Sequence, residues 1–350
     1  MWSSARGSVR LAGSRLISAL DFGPERVIVL IAHKKSDGKF ELVGAGEAKS
    51  QGIGLGSISN LGDAVEAVYE AAGKAESAAG TKIKTIYYNF DDPSLESVRS
   101  KGAVSLKGEG EIQISDVEEA EAIARRIVGH FEKMIVYAKA DEYRIDDKDT
   151  VINPLGVFAR RLEVSMHILQ ARASYCHAWD RLMARCHFPD AVRVLTPWSV
   201  ACGVTAGEAS ADKKLIVDLG ADFTSAMIYA RHSILDCAVV LTKEKEDLRG
   251  DKRIRAAQKI LSKHADVREI LVTGDLAEHE NEKQAWIEMA ETIPVRLVAA
   301  QGVPKLAQPK FAAAAGLLWA AEELQKKSPN AQHDKNGLRQ KAITFIQEYF

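Results

Sequence analysis

Apolar and polar positions along the chain sort into two copies of one pattern. Leu16–Phe22 is an apolar run closing on Asp21-Phe22-Gly23; a second run covers 26–32, and a polar turn at 34–38 leads into a third at 40–46. The pattern returns at Lys214–Leu219, which closes on Asp218-Leu219-Gly220 and is followed by runs at 225–229 and 234–241 around a turn at 231–233. Short apolar runs bounded by turn residues predict strands, so each copy reads as a strand, an Asp-x-Gly turn and a β-meander. Duplication of such a unit predicts two similar α/β lobes related by an approximate dyad, with a cleft between them.

The segments between the copies alternate helix and strand periods. Leu61, Ala64, Val65, Val68 and Ala72 form a helical stripe after a Gly-rich turn at 52–56. With no lysine following, that turn reads as a connection rather than a phosphate loop. Ser115 with Glu118 reads as a capping box opening a helix striped by Val117, Ala120, Ala124, Ile127, Val128 and Phe131. Residues 161–169 alternate as a strand with Leu162, Val164, Met166 and Ile168 on one face. A helix is expected at 171–187 with Tyr175, Trp179, Leu182 and Met183 inward, and another at 251–264.

Composition narrows the function classes. The 350 residues are 46% hydrophobic and 27% charged, which suits about two soluble domains. Lys plus Arg (47) nearly equals Asp plus Glu (48), which excludes a basic nucleic-acid binder. No apolar run reaches the ~18 residues of a membrane span. The four cysteines lack a C-x-x-C pair, so neither a disulfide framework nor a Cys-rich zinc site is expected, and a reducing cytoplasm fits. The Cys-His pairs at 176–177 and 186–187 fall on different helix faces, so no metal ligands are assigned. The balanced charge is a sum of unlike parts. Residues 1–20 hold three arginines and no acid, 109–149 hold twelve acids against six bases, and 326–341 hold five bases against one acid.

The paired Asp-x-Gly turns carry the candidate chemistry. Glycine lets backbone N–H groups approach an anion, and the carboxylate can hold hydrated Mg²⁺ against polyphosphate. This double motif resembles the actin-like ATPase superfamily. Within it, Asp141-Glu142-Tyr143-Arg144-Ile145-Asp146, Asn153-Pro154-Leu155-Gly156, Arg161-Leu162-Glu163-Val164 and His167-Ile168 resemble the bacterial cell-division family FtsA, whose small inserted subdomain replaces the second subdomain of actin. The resemblance implies a flexible arm at 1–15, a first lobe at 16–100, the insertion at 101–170 and returning helices at 171–205. A second lobe follows at 206–325, with its further subdomain reduced to 242–269.

By the same resemblance, the nucleotide-binding residues are Asp21, Gly23 and Arg26 in the first loop, Asp218, Gly220 and Thr224 in the second, and Thr273 and Gly274 on the adenosine side. ATP with Mg²⁺ is the implied cofactor. Pro24, Asp222 and Asp275 depart from the family pattern: proline removes a hydroxyl and a donor, and the two carboxylates oppose a triphosphate. Like charges ~4 Å apart cost about 4 kcal/mol at an effective dielectric of ~20. Weakened or lost nucleotide binding is therefore expected, with no hydrolysis and no catalytic residue.

The end of the chain has its own pattern. Leu338, Ala342, Phe345, Ile346 and Tyr349 share one helical face flanked by Ile343 and Phe350, while Arg339 and Lys341 lie on the polar side. After a polar linker at 326–336, residues 337–350 read as an amphipathic helix lying in an anionic membrane interface. This segment also resembles the membrane-targeting helix of FtsA. Together the resemblances imply a peripheral protein on the inner face of the bacterial plasma membrane, bound to a tubulin-like FtsZ-type partner and self-associating. Alternatives are a pilus assembly component like PilM, which shares the lobes, and an active ATPase or kinase on the same fold.

Overall fold

The computed structural model describes residues 15–208, 210–242, 252–290 and 292–327. The expected arm and the amphipathic segment 337–350, with all its proposed lipid-facing residues, lie outside them. The described chain divides into two units, one formed by 15–93 with 177–327 and the other by 94–176.

The first unit begins with the expected meander. β1 (Leu16–Phe22), β2 (Arg26–Lys34) and β3 (Phe40–Lys49) pair antiparallel, with Asp21 opposite Ile28. Two two-residue strands, β4 (Ile53–Gly54) and β5 (Ser57–Ile58), make a small hairpin of the Gly-rich turn. α1 (Leu61–Ala79) follows, capped by the Asn60 side chain, which accepts from the Gly62 and Asp63 amides at 2.9 and 3.3 Å. β6 (Ile86–Phe90) then adds parallel to the far side of β1. β1, β2 and β6 are buried on both faces, which explains their unbroken apolar runs.

The second unit is β7 (Glu96–Glu111), α2 (Ile114–Ile127), β8 (Lys133–Ile145), β9 (Asp149–Val151) and β10 (Phe158–Arg172). Its antiparallel sheet has the order β7-β10-β8-β9. Leu162, Val164, Met166 and Ile168 are fully buried with Ala120 and Ala124 of α2, as the alternation predicts. Two expectations are corrected. The carboxylate that caps α2 is Asp116, which accepts from the Gln113 amide at 2.8 Å, so the helix starts earlier than a Ser115–Glu118 box requires. Phe131 is 86% exposed: the helix ends at Ile127, and Gly129 precedes a turn that carries Phe131 outward. This unit also starts at Ser94 rather than at 101.

The chain then runs through α3 (Ala173–Arg185), β11 (Val192–Leu195) and α4 (Thr196–Thr205). Trp179, Leu182 and Met183 are buried as expected, whereas Tyr175 is half-buried with the Arg172 guanidinium 3.5 Å above its ring. β11 joins β6 and completes the first sheet, β11-β6-β1-β2-β3. The second lobe repeats the meander with β12 (Lys214–Leu219), β13 (Phe223–Ala230) and β14 (Ser233–Leu241). α5 (Lys252–Leu261), β15 (Glu269–Thr273), α6 (Glu280–Ala290), β16 (Val295–Leu297) and α7 (Ala312–Lys327) follow. Its sheet order, β14-β13-β12-β15-β16, puts β12 where β1 stands in the first. Among the described residues, α5 is the one element between β14 and β15.

α4 and α7 cross at glycines. A Cβ on Gly316 would lie 1.6 Å from the Ser199 carbonyl oxygen, and one on Gly203 would lie 2.1 Å from that of Ala312. α7 also packs on β1 and β6, so this crossing ties the connecting helix to the first sheet. Gly316→Ala is expected to lower stability by about 3 kcal/mol through overpacking against backbone, read as a fall in the urea midpoint at unchanged slope.

Candidate functional site

β1 and β6 run parallel, so their carboxyl ends open on the same side of the first sheet, as those of β12 and β15 do in the second. Ligands of open α/β sheets bind at such ends. A cavity of about 410 Å³ lies here, walled by both Asp-x-Gly turns. Of the residues assigned to nucleotide, Asp21, Gly23, Arg26, Asp218, Gly220 and Gly274 line it. Gly274 sits at φ +102°, where a Cβ would fall 2.5 Å from Asp218 Oδ1.

Thr224 and Thr273 do not line the cavity. Thr224 is buried with its hydroxyl 3.0 Å from that of Thr242, and Thr273 donates to the Pro309 carbonyl at 3.1 Å. Side chains alternate along a strand, so Ser225 rather than Thr224 faces the cleft. The Ser225 Oγ is buried there with no hydrogen-bond partner among the described residues.

The electrostatics are dominated by carboxylates. Burial, reinforced by Asp275 and partly offset by Arg26, pushes Asp21 up to about 7. Burial, against a hydrogen bond from Thr196 and with help from Asp92, pushes Asp91 up to about 6. Asp218 is raised well above the usual carboxylate range by burial and then by Asp91, Asp275 and Asp21. Asp275 is raised by burial, with Arg26 and the Ala221 amide pulling against it. Asn89 fixes one member: its Nδ2 donates to Asp21 Oδ1 at 2.6 Å while its Oδ1 accepts from the Phe22 amide at 2.6 Å.

Two backbone amides of the wall are engaged by carboxylates of the chain. Asp275 takes the Ala221 amide of the second Asp-x-Gly turn. Asp222 takes the Leu55 amide at 3.3 Å, joining the second lobe to the β4–β5 hairpin of the first. Beside it the Phe223 ring lies against Gly56, whose carbonyl accepts from Trp179 Nε1 at 3.3 Å. Arg26 serves both Asp21 and Asp275 and lies 5.0 Å over the Phe311 ring. Pro24 stands on the wall and offers no N–H. Among the described residues, no three His, Cys, Asp or Glu side chains are placed to hold one metal ion. The cleft thus gathers Asp21, Asp91, Asp218 and Asp275 on one wall with Arg26 as the cation that acts on Asp21 and Asp275, a lining that opposes a triphosphate unless Mg²⁺ or protons offset the carboxylates.

Sequence reasoning reached Pro24, Asp222 and Asp275 as departures but missed Asn89, Asp91, Thr196 and Ser225. The signal for Asn89 and Asp91 was the polar close of the apolar run at 86–90, which becomes informative once β6 is known to lie beside β1. The 52–56 turn, read as a plain connection, forms part of the wall. The cysteines are free and buried, and burial pushes the Cys186 thiol up to about 12.

A raised carboxylate lowers stability as pH rises. The folded protein keeps the Asp21 proton through a window in which the unfolded chain has lost it, so the stability present below the ordinary value of 3.8 is lost up to about 7. Asp21→Asn should remove up to about 4 kcal/mol of that dependence and leave the variant more stable than the parent above pH 7. Urea unfolding between pH 4 and 8 reads both effects.

Comparison with known proteins agrees with this architecture. Residues 93–170 match the family model described as the SHS2 domain inserted in FtsA. The chain is 27% identical over 226 residues to the cell division protein FtsA of Neisseria meningitidis, covering 65% of this chain and 54% of that protein. Identity to FtsA of Pseudomonas aeruginosa is 24% over the same length and coverage, and to that of Escherichia coli K12 it is 23% over 178 residues, covering 51% of this chain and 42% of that protein. Among solved structures, the PilM–PilN type IV pilus biogenesis complex superposes with a TM-score of 0.56 at 13% identity, covering 86% of this chain and 97% of that one, a likeness of fold. The chain spans about half the length of the curated relatives it matches. The chain is thus similar to FtsA proteins: residues 93–170 match the SHS2 domain inserted in FtsA, and the rest has a divergent actin-like ATPase fold.

Proposed function

We propose that this protein is a non-catalytic adaptor in bacterial cell division, tying an FtsZ-type polymer to the inner face of the plasma membrane. The observation that carries the reading is the FtsA-type SHS2 domain at 93–170 between the strand-turn repeats of an actin-like fold. The PilM likeness is one of fold, whereas residues 93–170 match the insertion of FtsA by family model, so the division reading is preferred. The segment 337–350 supplies the membrane contact, through Leu338, Phe345, Ile346, Tyr349 and Phe350 with Arg339 and Lys341 toward anionic lipid. One such helix holds weakly, and self-association adds avidity.

In this reading the cleft joins the lobes rather than turning over ATP. Asp21, Gly23, Arg26, Asp218, Gly220 and Gly274 mark the inherited nucleotide site, and Asp222 with Asp275 takes over its amide donors. With α5 the one described element between β14 and β15, the partner-binding surface that FtsA places there is reduced, and contact with the FtsZ-type partner shifts to the remaining lobe surfaces.

Two measurements test the proposal. Isothermal titration with Mg-ATP should show no micromolar binding to the parent, while the pair Asp222→Gly and Asp275→Gly gains at least ~10-fold in affinity, about 1.4 kcal/mol. Tight binding with turnover by the parent would refute the adaptor reading. Deleting 337–350 should abolish co-sedimentation with anionic liposomes and spare co-purification with the FtsZ-type partner. Equal pelleting of the shortened chain would rule out the tether.

A further inference from the structure

A second cavity, of about 290 Å³, opens beside the α4–α7 crossing. Its apolar part is made by Trp198 and Cys202 of α4 and Trp319 of α7, and Glu322, Glu323 and Lys326 of the last turns of α7 edge it. Trp198 and Cys202 are buried. Three of the four rim charges answer one another: Lys34 Nζ and Lys326 Nζ lie 2.7 and 3.3 Å from the Glu322 carboxylate, and Lys34 lies 4.5 Å over the Trp319 ring. Glu323 is half-buried and has no ion-pair or hydrogen-bond partner among the described residues. The C-terminal end of α7 adds its negative dipole to that carboxylate. The cavity thus combines an aromatic floor with a rim of balanced charge on which, among the described residues, the Glu323 carboxylate alone of the four lacks a direct ion pair.

We propose that this cavity is the docking site of the chain's own segment 337–350. Three observations select that occupant. First, the described chain leaves α7 at Lys327, next to rim residue Lys326, and the ten residues that follow span ~17 Å in the root mean square. The segment therefore starts within reach. Second, it offers the complementary chemistry: Phe345 and Ile346 on its apolar face for the Trp198–Trp319 floor, and Arg339 and Lys341 for Glu323. Third, the volume suits one or two large side chains rather than a whole helix, so docking is an anchored contact of limited strength. The face that docks is the face that would meet lipid, so the two states exclude each other. In solution the segment lies on the lobes, and an anionic membrane draws it off. Membrane attachment then exposes the α4–α7 surface at the same moment.

A tether this short gives an effective concentration of order 1 mM, so a groove with an intrinsic dissociation constant of ~0.1 mM holds the segment about nine-tenths of the time. Hydrogen–deuterium exchange on the full chain tests this without a membrane, and so separately from the tether reading. Amides at 200–207 and 319–327 should exchange roughly tenfold more slowly in the parent than in the variant Phe345→Ser with Ile346→Ser. Glu323→Lys, a rim change outside the core, should remove the protection and raise the fraction bound to anionic liposomes. Equal exchange in the parent and the double variant overturns the proposal. So does protection that falls instead on 112–158, where exposed Ile114, Ile152 and Phe158 offer the segment a competing surface.

Discussion

Like charges held together at the carboxyl ends of two sheets are the constraint around which this molecule is arranged. Duplicating the strand-turn unit brings Asp21 and Asp218 to one cleft, and Asp91 and Asp275 join them from the neighbouring strand ends. Buried carboxylates need counter-charge, donors or protons. The chain supplies all three: Arg26 as a shared cation, Asn89 and the Ala221 and Leu55 amides as donors, and raised proton affinity for the remainder. The Leu55 amide joins the first lobe to Asp222 of the second, and Phe223 against Gly56 adds apolar contact between them.

That arrangement separates the uses of the two units. The lobes carry a cleft in which Asp222 and Asp275 accept from amides of the chain, and a helix crossing so close that only glycine fits it. The SHS2 unit carries its own core on one face of β10, and it exposes Ile114, Ile152, Leu155 and Phe158 to solvent. Exposed apolar side chains of that number are more typical of a contact surface than of a free one.

How much was legible depended on whether a feature is local. The meanders could be read because strands buried on both faces need apolar centres, as β1, β2 and β12 have. The face of β10 could be read because its alternation is strict. The start of α2 was misplaced because Ser115, Asp116 and Glu118 all offer capping chemistry, and the Gln113 backbone decides among them. Thr224 was chosen over Ser225 because the register of β13 depends on Asp218 pairing with Ser225, a contact between strands. Asp91 carried only the polar close of a short apolar run, which gains meaning once β6 lies beside β1.

What the sequence determined by itself was therefore the duplicated strand-turn unit, the inserted block at 141–168 and the three departures at Pro24, Asp222 and Asp275, because each is written in neighbouring residues. What only the tertiary structure decided was the use made of those departures. An aspartate in a phosphate loop reads as plain repulsion until the Leu55 amide, supplied by a hairpin of the other lobe, is seen to meet it. The partners of a buried charge are chosen by folding across long stretches of chain, and no local pattern records them.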